Sequence, residues 1–392
     1  MRVLLFTGKG GVGKTTTAAA TAARAASRGL KTLVLSTDPA HSLADAFDVP
    51  LTGEPTEVAA GLLAMQVDAQ RAFERSWHEV QDYLRSVLEK AGVDALQAEE
   101  LTVLPGAEEV LALLELRKQA ASGRYDLVVV DCAPTGETLR LLALPEALSW
   151  YVEKVFPLHR RAMRVVRPLL SRVATVPEDG VFEAVGRLHA ELSEVRALLT
   201  RPATSVRLVL TPEAVVIAEA RRTLTSLALY GYRVDGLVAN RVVPASDDPW
   251  MAGWAASQSA LLAAIRVDAA PLPVLESPYA PGEPVGLDAL LDFGNRLYGD
   301  ADPTEVVCAE ELLQVTRDSD GFLLSLSLPL ARLEDLDLAR SGDDLVVTLA
   351  GHRRLLSLPS ALRRCTVAGA RLVEGRLVVR FEPDPALWRT SV

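Results

Sequence analysis

The residues with the clearest chemical meaning form a glycine-rich segment near the start of the chain, residues 8–16, which reads Gly-Lys-Gly-Gly-Val-Gly-Lys-Thr-Thr. It matches G-x-x-x-x-G-K-[ST], the pattern of a loop whose backbone N–H groups hold nucleotide phosphates. In such a loop Lys14 reaches the β- and γ-phosphates, and the hydroxyl of Thr15 binds Mg²⁺. We therefore expect ATP and Mg²⁺ to bind here. The predicted nucleotide-binding residues of this loop are Gly8, Gly10, Gly11, Val12, Gly13, Lys14, Thr15 and Thr16.

A second lysine, Lys9, lies inside the same segment, although the plain phosphate-loop pattern does not require it. The loop therefore resembles the variant K-G-G-x-G-K-[ST], in which this extra lysine reaches the phosphates bound by a partner subunit. The resemblance implies that Lys9 is catalytic together with Lys14, and that the chain forms a homodimer.

Two aspartates follow later apolar runs that have the character of strands. Asp38 comes soon after residues 32–35, and Asp131 directly follows the apolar residues 127–130. A carboxylate at the carboxyl end of a strand, beside a phosphate loop, can orient an attacking water or contact Mg²⁺ through a water. We expect Asp38 to act in catalysis, and Thr15, Asp38 and Asp131 to serve the metal.

Asp131 and several other polar residues of the sequence have more than one interpretation. Asp131 could be an ordinary cap at the end of its strand, and an asparagine after a strand, such as Asn240, is commonly part of a turn. His41 fits a hydrogen-bonding residue of its loop better than a proton shuttle. Arg140 fits either a residue that responds to the nucleotide or a solvated charge on a helix, and the sequence does not separate these two roles.

The flanking residues supply the elements that must position this chemistry. Residues 3–6 form an apolar run typical of a buried strand, and residues 18–26 are rich in alanine, which favours a helix. The phosphate loop therefore joins a strand to a helix and places the phosphates at a helix N-terminus. Further apolar runs bounded by polar loops predict an α/β fold, a doubly wound and mostly parallel sheet with helices on both faces.

Four motifs together resemble those of the ArsA-type ATPases, a family that includes arsenite-pump ATPases and targeting factors for tail-anchored membrane proteins. They are the loop at residues 8–16, Ser-Thr-Asp-Pro-Ala-His-Ser-Leu at 36–43, Asp-Cys-Ala-Pro-Thr-Gly at 131–136, and Val-Ala-Asn-Arg at 238–241. The resemblance covers roughly residues 1–299. It implies that Asp38 positions the attacking water, that Lys9 acts across a dimer, that Asn240 contacts the nucleotide base, and that Arg241 is also a nucleotide-binding residue.

The chain departs from this family at its cysteines. Targeting factors of the family often carry a CxxC after the adenine-binding asparagine, and two copies bind one zinc across the dimer. Residues 242–265 of this chain contain no cysteine, so no zinc is expected. The arsenite pumps place thiols at a metalloid site, whereas Cys132, Cys308 and Cys365 are widely separated here. The pumps also fuse two ATPase halves, and this sequence has one phosphate-loop motif.

Composition sets broad limits on the protein. With 392 residues, of which 49% are hydrophobic, the chain exceeds what one core usually holds, so two domains are expected. A net charge of −10 argues against general nucleic-acid binding. The absence of a long apolar run predicts no membrane span, and the first strand leaves no room for a signal peptide. Isolated cysteines fit a reducing compartment, so a cytoplasmic location is expected, with peripheral membrane contact at most.

Helical periodicity predicts additions to the ATPase unit at about residues 68–118 and 146–200. One predicted helix, near residues 158–173, is basic as well as amphipathic. These helices could cover the ATPase core, form an apolar groove for the hydrophobic helix of a client, or touch anionic lipid. By the family resemblance, such a groove would lie across the dimer.

Beyond about residue 302 the periodicity changes from helical to alternating. Residues 322–329, 345–349 and 377–381 alternate between apolar and polar side chains, and turn signals separate them. The motifs Arg-x-Gly-Asp-x-Leu-x-Val at 340–347 and Ala-x-Leu-x-x-Gly-x-Leu-x-Val at 370–379 resemble the α-crystallin domain of small heat-shock proteins. We therefore predict an ATPase domain over residues 1–302 and an all-β sandwich over residues 303–392.

The favoured hypothesis is an Mg²⁺-dependent ATP hydrolase that cycles a homodimer between open and closed states. Its expected clients are hydrophobic or membrane-protein segments, which would make the protein a chaperone or targeting factor. Two other hypotheses remain. One is the ATPase subunit of an arsenite or anion pump, and the other is a ParA-like positioning ATPase driven by DNA or lipid.

Overall fold

A computed structural model describes residues 1–38, 42–67, 107–133, 135, 179–306 and 312–387. The chain forms an α/β unit followed by a β-sandwich. The strands of the first unit are β1 (Arg2–Thr7), β2 (Thr32–Ser36), β3 (Thr56–Ala59), β4 (Leu62–Gln66), β5 (Leu127–Asp131), β6 (Thr204–Leu210), β7 (Val234–Val242) and β8 (Val274–Pro278). Its helices are α1 (Lys14–Ser27), α2 (Ser42–Phe47), α3 (Ala107–Ala121), α4 (Asp179–Thr200), α5 (Ala214–Leu229), α6 (Pro249–Ala269) and α7 (Leu287–Tyr298).

The eight strands form one sheet in the order β3-β4-β2-β5-β1-β6-β7-β8. The edge strand β3 pairs antiparallel with β4, and the other pairs are parallel. Strands β1, β2, β5 and β6 are buried along their whole length, which explains their nearly continuous apolar sequences. The predicted doubly wound, mostly parallel fold is confirmed. Its central strand β1 has β5 on one side and β6 on the other.

Helix α1 is packed closely on both sides because its buried face consists of alanines. Ala18, Ala19, Ala20 and Ala22 have no exposed surface. Helix α7 packs beside α1 in the same core, where a Cβ on Gly294 would come within 2.8 Å of the Ala20 carbonyl oxygen. Small side chains on both helices therefore let α7 lie close to α1 and fix the helix that follows the phosphate loop.

The structure describes part of the predicted helical additions. Helix α3 overlaps the end of the first predicted range and α4 lies within the second, and Val195 and Leu199 of α4 are buried in the same core as residues of the sheet. The predicted helices near residues 73–88 and 158–173 lie outside the described residues, and so does most of the proposed client groove. Within the described ranges no helix combines the length and the apolarity needed to cross a membrane.

The C-terminal unit is an antiparallel sandwich of two sheets. Its strands are β9 (Leu313–Asp318), β10 (Gly321–Ser327), β11 (Leu336–Ser341), β12 (Asp344–Leu349), β13 (His352–Ser357), β14 (Cys365–Val373) and β15 (Arg376–Pro383), with a short helix α8 (Ser360–Arg363). One sheet has the order β14-β15-β10-β9 and the other the order β11-β12-β13. Leu324, Leu326, Val347, Val379 and Phe381 fill the space between the sheets. The predicted sandwich and its hairpin turns are confirmed.

The two units share apolar contacts at the end of α5. Leu229, the last residue of α5, is completely buried in the core of the sandwich. In return, Leu330 of the sandwich packs against the core of the ATPase unit. The guanidinium of Arg354, on β13, donates a hydrogen bond to the Leu229 carbonyl oxygen. The sandwich is therefore docked on the ATPase unit rather than connected to it by the chain alone.

Candidate functional site

The glycine-rich loop follows β1, and two of its glycines are required by close contacts. Gly8 has φ +156°, and a Cβ there would come within 2.1 Å of the carbonyl oxygen of Val209, at the end of β6. Gly13 has φ +92°, and a Cβ would lie 2.2 Å from the amide nitrogen of Asn240. A side chain at either position would displace the loop from its neighbouring strands, so the motif glycines also fix the position of the loop.

Helix α1 begins at this loop with an N-terminus suited to anions. Gly13 precedes the helix in a left-handed conformation and supplies no side-chain cap, and no acidic residue lies in the first turn. The Thr17 hydroxyl donates to the Gly13 carbonyl oxygen at 2.7 Å, which anchors the first turn. Backbone N–H groups and the positive end of the helix dipole face the loop, an arrangement that binds phosphate.

The two lysines of the loop differ in their environment. Lys14 is buried, and its ammonium group donates to the carbonyl oxygen of Lys9 at 3.3 Å. Lys9 is partly exposed, and Gly10 and Gly11 beside it are exposed. The position of Lys14 suits a phosphate contact within its own loop. Lys9 lies where the loop meets solvent, so a second subunit could approach it.

The predicted aspartates converge on this loop because of the strand order. Strand β5 lies between β1 and β2, and its last residue, Asp131, pairs in register with Phe6 of β1 and Ser36 of β2. The Ser36 hydroxyl donates to Asp131 Oδ2 at 3.1 Å and accepts a hydrogen bond from the backbone N–H of Asp38 at 3.2 Å. The structure therefore brings Asp38 and Asp131 together beside the phosphate loop.

Asp131 has an unusual electrostatic position. It is completely buried, and this burial raises its pKa to about 7, against the lowering effects of the nearby Thr15 and Ser36 hydroxyls and of Lys14. The charge of Asp38 raises the pKa further. Among the described residues, Oδ1 of Asp131 has no hydrogen-bond partner. A buried carboxylate oxygen without a partner is ready to accept hydrogen bonds from the water shell of a cation, and a cation would favour its ionised form.

Three polar residues of the site had no role assigned from the sequence. The Ser42 hydroxyl lies 3.1 Å from the Thr15 hydroxyl, which places α2 beside the threonine that is predicted to bind the metal. Gln66, at the end of β4, donates from its amide to the Asp38 carbonyl oxygen. The hydroxyl of Thr37 accepts a hydrogen bond from the backbone of Ala133 at 3.3 Å, which joins the segments after β2 and β5. The sequence did hold a signal for Gln66, since it is a polar residue at the end of the apolar strand β4. That strand runs parallel to β2, so its end lies beside the end of β2.

Asn240 reaches the phosphate loop from the end of β7. Its amide nitrogen donates to the Val12 carbonyl oxygen at 2.9 Å, and its amide oxygen accepts from the backbone N–H of Arg241 at 2.9 Å. Arg241 is exposed and has φ +58°. These contacts make Asn240 a brace for the loop. A contact of Asn240 with the nucleotide base, and of Arg241 with the nucleotide, stays a prediction.

The polar groups of the site fit Mg²⁺ and a nucleoside triphosphate. The loop offers backbone N–H groups, a buried lysine and the Thr15 hydroxyl, and Asp131 offers an oxygen without a partner in the described chain. Hard oxygen ligands of this kind are those that Mg²⁺ prefers. The described ranges contain no cluster of three or more histidine, cysteine or acidic side chains arranged to hold a metal ion, so a metal here would depend on the Thr15 hydroxyl, Asp131 and the nucleotide's own phosphates.

The two described cysteines lie in different cores. Cys132 follows Asp131 at the end of β5 and packs in the core of the ATPase unit, whereas Cys365 begins β14 and packs in the core of the sandwich. Burial raises the pKa of both thiols. They therefore do not form one thiol site with each other. Cys308 lies outside the described residues.

Comparison with known sequences agrees with this geometry. The sequence model of a family described as anion-transporting ATPases matches residues 1–299, and that of an HSP20-like domain found in ArsA proteins matches residues 319–381. A Chlorobaculum tepidum protein with the provisional name of arsenical pump-driving ATPase is 38% identical over 92% of this chain and 91% of its own length. An uncharacterized Streptomyces coelicolor protein is 42% identical over 99% of both chains. The Mycobacterium tuberculosis protein Rv2184c is 39% identical over 99% of this chain and 98% of its own length.

Proposed function

The chain belongs to the ArsA-type family of anion-transporting ATPases, and we propose that its ATP hydrolysis opens and closes a homodimer that holds hydrophobic protein segments. The hydrolysis of ATP follows from the family. The homodimer and the client are the proposed part. The observation that carries the proposal is the combination of one exposed catalytic loop with a docked HSP20-like sandwich.

Each residue of the site has a defined task in this proposal. The loop N–H groups and Lys14 hold the phosphates, and Thr15 with Asp131 holds the metal, which supplies positive charge to the β- and γ-phosphates when bound. Asp38 orients the water for in-line attack on the γ-phosphate. Because Gln66 and Ser36 hold the backbone of Asp38, the direction of its carboxylate depends on the end of β2 staying in place.

A second subunit would complete the site at the exposed side of the loop. Lys9, Gly10 and Gly11 follow β1 at the carboxyl edge of the sheet, and both glycines are exposed. A lysine that crosses to a neighbouring subunit can stabilise charge that develops on the γ-phosphate, as an arginine finger does in related enzymes. Hydrolysis would then require a closed dimer, and loss of the γ-phosphate would favour its opening.

The sandwich supports a client of apolar character. Strand β9 is exposed along its whole length, and Leu313 and Val315 on it are each about two-fifths exposed. An exposed strand edge can pair with an extended segment of another chain, and apolar side chains beside it favour an apolar segment.

A pump subunit is the second candidate function, and the names of relatives favour it. The Chlorobaculum tepidum relative carries the provisional name of arsenical pump-driving ATPase. Arsenite binds thiols, and Cys132 and Cys365 are buried in separate cores. The described residues therefore give this candidate less support than the relatives' names do.

One experiment separates these candidates. ATP hydrolysis by the full chain would be measured with arsenite, with a soluble peptide that carries one apolar segment, with DNA, and with anionic vesicles. Our proposal expects the peptide to change the rate and to be retained by Asp38→Asn protein in the presence of ATP. Stimulation by arsenite alone would establish the pump candidate, and stimulation by DNA or vesicles alone would establish a positioning ATPase.

A further inference from the structure

A cavity of about 600 Å³ lies at the junction between the ATPase unit and the sandwich. Its walls come from α5, the end of α6, the segment after β10 and the turn between β12 and β13. Such a volume lies within the range of small-molecule sites, and junctions between domains are frequent places for them. None of the nucleotide-binding residues of the loop lines it.

One face of α5 forms the wall on the ATPase side. Arg221, Arg222 and Thr225 line the cavity at helical spacing, while Ile217 and Leu224 of the same helix are buried in the ATPase core. The cavity face of α5 is therefore the face turned away from the sheet, and it presents two guanidinium groups to the sandwich.

The charged side chains that line the cavity are three arginines and two aspartates, which leaves a net charge of +1 on its walls. The guanidinium of Arg221 donates to Asp268 of α6, which neutralises that carboxylate. Arg332 from the sandwich lies 3.3 Å from Glu334, and both side chains are about three-quarters exposed, which makes this ion pair weak. Arg222 forms no ion pair with any residue that the structure describes. Asp335 is the remaining acid on the wall.

The other walls are apolar or aromatic. Leu330 and Leu349 contribute aliphatic surface, and His352 packs edge-on against Tyr230 with the ring centroids 6.3 Å apart. The cavity therefore combines guanidinium groups on two sides with an apolar floor. This combination suits a small molecule with an anionic end and a less polar body.

We propose that this junction cavity is a second ligand site, which binds a soluble di- or triphosphate compound through Arg222 on the ATPase unit and Arg332 on the sandwich. Guanidinium groups match phosphate oxygens in charge and geometry, and two of them from different units would hold one phosphate chain between the units. The site is separate from the catalytic loop and does not depend on the proposed dimer or client.

Helix α5 lines both the junction cavity and a small space beside the catalytic loop, so a ligand in the cavity can influence the loop through this helix. Val216, Glu219 and Ala220 of α5 line a small space together with Gly8 and Lys9 of the phosphate loop. The same helix carries Arg222 one turn further on. A ligand that draws the sandwich toward α5 would therefore act on an element that touches the loop.

Calorimetry with inorganic pyrophosphate tests the site directly. The full-length protein is first mixed with Mg²⁺ and one equivalent per chain of a non-hydrolysable ATP analogue, which fills the catalytic loop without an excess that would occupy the junction cavity, and is then titrated with pyrophosphate. We expect a further binding event that is at least about tenfold weaker in an Arg222→Gln/Arg332→Gln double variant. Both side chains are exposed, so the variant is expected to fold, and its thermal unfolding would be compared with that of the natural protein.

Arg296→Gln is the matched control because Arg296 is also an exposed helical arginine, paired with Asp292 on α7. It should bind pyrophosphate like the natural protein. The proposal is overturned if no further binding event occurs once the loop is filled. It is equally overturned if the double variant binds unchanged, or if Arg296→Gln loses as much affinity as the double variant does.

Discussion

At the scale of single residues, the chemistry depends on where Asp38 is held. Its backbone N–H bonds to the Ser36 hydroxyl, and its carbonyl oxygen accepts from Gln66. Both contacts fix the main chain of Asp38 at the end of β2. Asp131, in contrast, is buried and held by its side chain. The two carboxylates therefore have different environments that suit different tasks.

Asp38→Asn is expected to keep nucleotide binding and to lower kcat by roughly 10²-fold or more, because the water loses its orienting carboxylate. Steady-state hydrolysis and binding of a fluorescent ATP analogue would measure the two effects. Lys14→Ala is the comparison, since loss of a buried phosphate contact should weaken binding itself. Equal turnover in Asp38→Asn and natural protein would remove Asp38 from the mechanism.

Asp131 should make the stability of the metal-free protein depend on pH. Its pKa is about 7 in the folded protein, against 3.8 for an aspartate in an unfolded chain. Between these two pH values the folded protein therefore binds more protons than the unfolded chain. The free energy of unfolding should therefore fall as pH rises from about 4 to about 7, by about 2–4 kcal/mol. Asp131→Asn should abolish this part of the slope, raise the Tm above pH 7, and impair Mg²⁺-dependent hydrolysis. Thermal unfolding of both proteins across this range, without metal, checks it. A slope shared by both proteins would contradict the assignment.

The sequence predicted the loop, Asp38 and Asp131 because fixed spacing and strand ends identify them. It did not predict Ser42 or Gln66, because their partners Thr15 and Asp38 lie 27 and 28 residues away and meet them only after folding. The reason for Gly13 was also hidden, since it depends on the approach of Asn240 from β7.

At the scale of elements, the strand order assembles the site. The phosphate loop follows β1, Asp38 follows β2, Asp131 ends β5 and Asn240 lies near the end of β7. Parallel strands place all four at one edge of the sheet, as expected for a ligand site at a topological switch point. The apolar runs predicted these strands. They did not predict that β7 would reach across β6 to the loop, because pairing order is a property of the whole sheet.

Asn240→Ala tests whether this asparagine braces the loop or reads the base. Since the Asn240 amide already bonds to the Val12 carbonyl oxygen, its loss should weaken binding of ATP, GTP and inorganic triphosphate alike, by roughly five- to tenfold. Competition binding with the three ligands measures this. Weaker binding of ATP alone, with unchanged triphosphate, would instead identify a base contact.

Helix α5 contacts both units, and Arg354 of the sandwich forms a hydrogen bond with its last residue. Arg354 is buried and donates to the carbonyl oxygen of Leu229. Arg354→Ala should lower the free energy of unfolding by about 1.5–3 kcal/mol, because it removes a hydrogen bond from a charged donor to a buried carbonyl oxygen. Arg353→Ala is the matched control, since Arg353 is exposed on the same strand, and its effect should stay within about 0.5 kcal/mol. Denaturant unfolding would measure both variants, and equal effects would show that the junction contact contributes nothing specific.

At the scale of the whole molecule, packing and hydrogen bonds join the ATPase unit and the sandwich, in addition to the polypeptide chain itself. Leu229 lies in the sandwich core, and the Thr225 hydroxyl donates to the Pro329 carbonyl oxygen at 2.7 Å. The change from helical to alternating periodicity predicted two units. It could not predict their docking, because Leu229, Thr225 and Arg354 look like ordinary helix and strand residues within their own segments.

The central claim is that a dimer completes each catalytic site with Lys9 of the neighbouring subunit. Lys9→Ala and Asp38→Asn proteins would be mixed under conditions of subunit exchange, and ATP hydrolysis would be measured against each variant alone. We predict that each mixed dimer gains about one competent site, which pairs an intact Asp38 with an intact Lys9 from its partner. Activity in the mixture equal to the sum of the two residual activities, although the subunits have exchanged, would contradict the account.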